Sequence, residues 1–355
     1  MPGIPQCSVV IPHLRGARPL LATLHALDTT AIELDIVLVD NASTDGSVEE
    51  AADLFDTIRV IRSWENLGYA GGANLGLRHA RAPWSVFLND DAIPAPGAIE
   101  SLVDLLETAG ADDLPLLQPA LRSSGDPRFF DYAGGAGGLM DRWGYPFALG
   151  RLFDLVEMDD GQYITAGPLA WASGCCFAGS TELLREMGGF EESFFAHFEE
   201  IDLCWRYRSG GGRIESAPQA TVYHMGPSTL PVGGVKTYLN FRNNLWTLRR
   251  NTNGLHLFLI MTVRSILDSI AALRWLFKGR PVMAAATIRG VAAGLFRRPW
   301  RKAPRSGPNR TGREQWGVYQ GSVVAAHYLR QVSTSRNMAD RVGGWKQSAE
   351  KVSGS

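Results

Sequence analysis

Cysteine is scarce and unpatterned in this chain: Cys7, Cys175, Cys176 and Cys204 are the only four among 355 residues, and they form no pair of C-x-x-C units. Adjacent Cys175 and Cys176 cannot easily serve one tetrahedral metal or bridge each other, so reduced, buried thiols are expected. An excess of either charge is also missing. With 35 Lys and Arg against 36 Asp and Glu, a formal net charge of −1, the chain has no general affinity for nucleic acid or for acidic membranes, and any basic surface must be local. No G-x-G-x-x-G follows a strand, since the Gly68 to Gly76 segment has the wrong spacing, and there is no P-loop. Pro2, Pro5 and Gln6 interrupt the N-terminus where a secretory signal would need an apolar core, so a cytosolic location is expected. No internal repeat or long low-complexity tract is present.

What the chain does have is 45% hydrophobic and 20% charged residues, enough for one large domain with an appendage. Through the first hundred residues short apolar runs alternate with amphipathic stretches, the pattern of an α/β fold with a mostly parallel sheet. Strands are expected at Ser8 to Pro12, Asp35 to Val39, Thr57 to Arg62 and Ser85 to Leu88, with helices at Leu20 to Leu27, Ser47 to Phe55 and Gly71 to Arg81. From Leu116 to about Gly167 the periodicity weakens, and an irregular region with a hairpin and a mobile loop is expected. A strand at Ala172 to Ala178 and helices at Thr181 to Met187 and Glu199 to Arg208 follow, the last stopped by Gly210 to Gly212. Val235 to Leu295 reads as helical throughout. Its most apolar part, Leu255 to Phe277, contains Arg264, Asp268 and Arg274, which argue against a membrane-spanning helix. Three readings remain for it: a membrane surface, a subunit interface, or packing on the protein's own core. Beyond Phe296 a basic, Pro-containing stretch leads into a polar tail that is expected to be partly disordered.

Three acidic clusters carry the chemistry. Asp40 closes an apolar strand, and open α/β sheets bind ligands outside the carboxyl ends of their strands. A carboxylate there can accept a hydrogen bond from a uracil or thymine imide or from a ribose hydroxyl, although it also suits a plain helix cap. At Asn89-Asp90-Asp91 a second strand delivers acidic side chains at its tip, where Mg²⁺ or Mn²⁺ could bind with positions left open for phosphate oxygens. Strand alternation places Asn89 and Asp91 on one face and Asp90 on the other, which makes Asp91 the better metal ligand. Glu199-Glu200-Ile201-Asp202 opens a helix. Dipole-favoured carboxylates are ordinary there, but a glutamate beside Phe194, Phe195 and Phe198 has the desolvated setting of a general base.

In order, VVIP, VDNASTDGS, NLGYAGGANLGL, FLNDDAIP, the run from Ser173 to Ile214 that includes GGFEESFFAHFEEIDLCWRYRSGGGRI, and HMG resemble the family 2 glycosyltransferases of the GT-A fold, in their rhamnosyltransferase-like and galactofuranosyltransferase-like branches. The resemblance spans residues 7 to 226. It implies an α/β GT-A catalytic domain over 1–230, with a nucleotide-binding half to about 115 and an acceptor half from 116. A helical extension over 231–300 and a tail over 301–355 complete the chain.

The resemblance further implies that Pro12, Asp40, Gly71, Gly72, Asn74, Asn89 and Asp90 border the nucleotide, and that Asp91 and His224 hold Mg²⁺ or Mn²⁺. Glu200 is then the base, and Trp171, Ser173, Gly174 and Glu199 lie between donor sugar and acceptor. Asn89 replaces the first aspartate of the D-x-D motif, and Glu200 is one methylene longer than the usual aspartate. The implied partners are a nucleotide-sugar donor and a saccharide or lipid-linked glycan acceptor. Residues 235–300 would provide peripheral contact with the inner face of the plasma membrane or a homo-oligomer interface, and the implied context is cell-surface polysaccharide synthesis. Two other readings stand beside this one. A sugar-1-phosphate nucleotidyltransferase would want a Gly-rich basic loop where Pro12-His13-Leu14-Arg15-Gly16 stands, and a non-catalytic glycan-binding relative would not need Asp40, Asp91, Glu200 and His224 together.

Overall fold

The computed structural model describes residues 5–226, 233–297, 317–339 and 342. The N-terminal half runs β1 (Cys7–His13), α1 (Ala17–Asp28), β2 (Leu34–Asn41), α2 (Ser47–Leu54), β3 (Ile58–Ser63), α3 (Gly68–His79), β4 (Trp84–Leu88), β5 (Ala92–Pro94), α4 (Ala98–Thr108) and β6 (Pro115–Ser123). Next come β7 (Gly137–Asp141), β8 (Pro146–Leu149), β9 (Arg151–Leu152), β10 (Leu155–Val156), β11 (Cys176–Ser180), α5 (Thr181–Glu186), α6 (Glu199–Ser209) and β12 (Arg213–His224). The chain continues through α7 (Gly234–Asn251), α8 (Gly254–Phe277), α9 (Pro281–Phe296), β13 (Val318–Tyr319), α10 (Val323–Arg330) and α11 (Arg336–Ala339).

Eight strands form the main sheet in the order β3-β2-β1-β4-β11-β6-β12-β5. The pairs β1–β2, β2–β3, β1–β4 and β6–β12 are parallel, while β11 and β5 run antiparallel to their neighbours. Burial on both faces explains why β1 and β2 read as near-continuous apolar runs rather than alternating ones. Helix α1 docks through Leu20, Leu24 and Leu27, and α4 through Ile99, Leu102, Val103 and Leu106. Each fully buried side chain of this kind stabilises by roughly 1.5–3 kcal/mol.

Residues expected to be irregular are ordered. β6 is a buried nine-residue strand of the main sheet, and β10-β9-β8-β7-β13 form a second, five-stranded sheet. Its strands have two to five residues, too short to impose a period, so glycine and aromatic content dominated the reading. The expected strand at 172–178 begins later, at Cys176. Part of the expected polar tail is also built in. β13 pairs parallel with β7, and buried Ser335 bonds Glu157 and Tyr163. The basic stretch from Arg298 and the last residues from 343 lie outside the described residues.

The C-terminal helices form a layer in which α7 packs on α9 and α6, and α8 on α9. Two of the three charges within α8 leave its outer surface uninterrupted, while Arg274, near its C-terminal end, is exposed. Arg264 and Asp268 are buried on its inner side and pair at 3.2 Å, so by length and composition α8 is the one described helix apolar enough to cross a membrane.

Candidate active site

A cleft of about 620 Å³ opens where the carboxyl ends of β1 and β4 meet the end of β12, the start of α6 and the inner side of α7 and α8. Register places the first pair of residues. β12 runs antiparallel to β5 with His224 opposite Ala92, and the Met225 N–H donates to the Asp91 carbonyl at 2.9 Å, so two residues far apart in sequence become neighbours. The His224 Nε2 lies 3.1 Å from Asp91 Oδ1, and its Nδ1 lies 2.9 Å from Asp131 Oδ1. Asp131 is itself fixed by its backbone N–H on Leu121 of β6. Burial opposes a charge on His224, but Cys175 and the two carboxylates outweigh it and raise the ring's proton affinity.

This donor set fits a hard divalent cation. It offers one carboxylate and one imidazole whose other ring nitrogen is braced by a second carboxylate, the usual surroundings of a metal-bound histidine. No group of three or more ligating side chains is found among the described residues.

The expected strand alternation at 89–91 is corrected, because β4 ends at Leu88 and these residues form a turn. Asp90 nevertheless turns away from Asp91. Its Oδ2 lies 2.6 Å from His13 Nδ1, whose Nε2 meets Ser47 Oγ at 2.7 Å. Asp90, expected at the nucleotide, thereby ties the β4 turn to β1 and α2 while still lining the cleft. Asn89 and Pro12, both expected at the nucleotide, line the cleft.

Asp40 sits at the end of β2 outside the cleft walls, bound by Arg62 at 2.7 Å and by the Ser43 N–H at 2.8 Å. Gly71, Gly72 and Asn74, also expected at the nucleotide, do not line the cleft. Gly71 packs against Leu67 within its own helix, and a Cβ on Gly72 would stand 3.2 Å from Pro12 Cβ, so the latter glycine lets α3 approach β1. Asn74 bonds both the N–H and the carbonyl of Phe190, anchoring the loop that precedes α6.

That loop is unusual. Phe195, His197 and Phe198 all have positive φ, between 66° and 74°, each costing on the order of 1–3 kcal/mol unless the surroundings hold it. Two elements do so. The Ala70 N–H at the start of α3 donates to the Phe195 carbonyl at 3.1 Å, where only glycine at position 68 leaves room for that carbonyl. From α7, the fully buried Asn243 donates its amide to the carbonyls of Phe194, Ala196 and His197 at 2.7–3.0 Å. The helical extension is therefore part of the site.

The loop delivers Glu199 and Glu200 to the cleft, each with one buried carboxylate oxygen lacking a protein partner. Burial pushes Glu200 up to about 7, and burial together with the adjacent Glu200 raises Glu199 well above the carboxylate range. Asp202 has the ordinary role allowed for it, with Arg206, Arg250 and Asn251 on its carboxylate. Trp171 lines the cleft, its Nε1 donating to the Leu139 carbonyl. Ser173 donates to the Ala133 carbonyl, and the Gly174 carbonyl accepts from Tyr69.

Sequence reasoning missed Asp131, His13 and Asn243. Each meets its partners across at least 34 residues, and nothing local marks them.

Residues 8–127 match the family model described as Glycosyl transferase family 2. The chain is 27% identical over 234 residues to an N-acetylglucosaminyl-diphospho-decaprenol L-rhamnosyltransferase of Mycobacterium tuberculosis, covering 60% of this chain and 72% of that one. It is 24% identical over 281 residues to the low-salt glycan biosynthesis hexosyltransferase Agl10 of Haloferax volcanii, covering 74% and 83%. In structure it resembles GalNAc-T7 bound to UDP, GalNAc and Mn²⁺, with a TM-score of 0.54 at 16% identity over 70% of this chain; it spans about half of that protein, 48%. It also resembles a mannosyltransferase from Pyrobaculum calidifontis in complex with GDP-Man and Mn²⁺, with a TM-score of 0.52 at 16% identity, covering 83% and 88%. Residues 8–127 form a family 2 glycosyltransferase domain, and the chain has the GT-A fold. Its activity is the transfer of sugar from a nucleotide donor.

Proposed function

We propose that the transfer is an inverting single displacement from a UDP- or dTDP-sugar to a hydroxyl of a saccharide or lipid-linked glycan, with Glu200 as the base. The observation that carries this reading is a buried carboxylate near 7 with one oxygen free for an acceptor, in the same cleft as the Asp91–His224–Asp131 cluster. A base works best when its pKa lies near the operating pH.

Asp91 and His224 would hold Mg²⁺ or Mn²⁺, which neutralises charge on a departing diphosphate. Glu200 takes the proton from the acceptor hydroxyl as its oxygen attacks the anomeric carbon and the bond to the nucleotide diphosphate breaks on the opposite face. Asp131 orients the His224 ring, Asn243 holds the strained loop, and the aromatic residues around Glu200 exclude water. Asp40 would exchange Arg62, whose head is solvent-exposed, for the base or ribose. The name of the mycobacterial relative supports a lipid diphosphate-linked acceptor, and cell-surface polysaccharide synthesis is the context proposed with it.

The test is a screen of UDP- and dTDP-sugars with Mn²⁺, followed by NMR of the product's anomeric centre. An inverted configuration is expected; retention would overturn the single displacement.

A further inference from the structure

Helix α8 is built inside out. Arg264 and Asp268, both under 4% exposed, face the protein. The Arg264 guanidinium lies 3.6 Å from the centre of the Tyr145 ring, and the Tyr145 hydroxyl donates to Asp268 at 3.2 Å. The outer side carries Phe258, Ile266, Ile270, Leu273 and Phe277, between 53% and 89% exposed, and α9 beside it adds Val282, Ile288 and Phe296. A surface helix of a soluble protein does the opposite, and contiguous apolar patches on this scale mark a site of contact.

Charge selects the occupant. The net charge of −1 conceals a division within the chain: residues 1–226 hold 14 Lys and Arg against 32 Asp and Glu, whereas residues 227–313 hold 16 Lys and Arg against one acid, the buried Asp268. Arg274, Lys278 and Arg280 are exposed around the α8–α9 turn, and Arg289 is exposed on α9. A second copy docked through this face would set cation against cation. An anionic lipid surface complements both the apolar face and its basic rim, each cation near such a surface contributing about 1 kcal/mol.

We infer that the outer face of α8 and α9 seats the enzyme in the plane of an anionic lipid membrane without crossing it. Crossing would carry the Arg264–Asp268 pair into hydrocarbon and separate it from Tyr145. The inner side of the same layer lines the cleft through Lys236, Asn244 and Arg264, so the seat brings the cleft beside a lipid-borne acceptor; that purpose rests on the proposed function, whereas the seat itself rests on the surface.

The experiment is flotation of the full chain with vesicles of phosphatidylcholine alone or mixed with phosphatidylglycerol, and it needs no transferase activity. Binding to the mixed vesicles only, weakened by salt and reversed by alkaline carbonate, is expected. R274Q/K278Q/R280Q should reduce partitioning on the order of 100-fold, and I266E/I270E/L273E should abolish it. Both variants should keep wild-type binding of UDP with Mn²⁺. Three results would overturn the inference: no wild-type binding to anionic vesicles; resistance to carbonate extraction, which indicates spanning; and a dimer in solution that the I266E/I270E/L273E variant dissolves. If the seat holds but no nucleotide sugar is consumed, the proposed function fails alone.

Discussion

The two walls of the cleft follow different plans. On the sheet side, Asp91 and Asp131 close on His224, and Asp90 closes on His13, with strand register holding the ends in place. On the helix side, Phe195, His197 and Phe198 with positive φ lead to two buried glutamates that each keep an unpartnered oxygen, and an asparagine from the C-terminal layer holds the turn. The sheet wall is satisfied in itself and suited to binding. The helix wall stores strain and desolvation, the setting of the proposed base.

Substitutions should separate these plans. The largest effect falls on the helix wall: Glu200→Gln should lower kcat by about 10²–10⁴-fold, measured by release of nucleoside diphosphate with saturating donor and acceptor. Full activity in a folded variant would remove Glu200 as base. Asn243→Ala should come next, lowering kcat by on the order of 100-fold through misplacement of the loop, while UDP and Mn²⁺ still titrate normally. An equal loss of nucleotide binding would show that the walls are not independent. On the sheet wall, Asp131→Asn should weaken Mn²⁺-dependent nucleotide binding by about 10–100-fold, read by calorimetry.

The smallest effect concerns stability. Glu200 has a folded pKa of about 7 against an ordinary value of 4.5, so the folded state holds this proton more tightly than the unfolded chain does. Wild type therefore loses stability as pH rises from about 4.5 through 7. Glu200→Gln carries no such charge and should be more stable than wild type by about 1–3 kcal/mol at pH 8, with little gain at pH 4. Thermal melts at the two pH values check the sign.

The same contrast explains what was legible beforehand. β1, β2 and β4 were readable because burial on both faces makes each a short apolar run, and Asp91 and Glu200 stood out at element boundaries. β12 went unread, since its polar residues and the register shift between Ala217 and Thr221 break any period. Asp131, His13 and Asn243 do their work on residues distant in sequence, which no local pattern encodes. In α8, two of the three charges read as interruptions of an apolar helix, Arg264 and Asp268, proved to be its inner side, because a sequence gives the number of charges in a helix but its packing decides which way they face.

The central claim is that Asp91 and Glu200 do separate work, nucleotide holding and proton removal. Calorimetric titration of UDP and dTDP with Mn²⁺ into Asp91→Ala and Glu200→Gln, side by side, tests it most directly. The account predicts that Asp91→Ala loses metal-dependent binding while Glu200→Gln keeps it at wild-type affinity. Undiminished binding by Asp91→Ala, or equal loss in both variants, would contradict it.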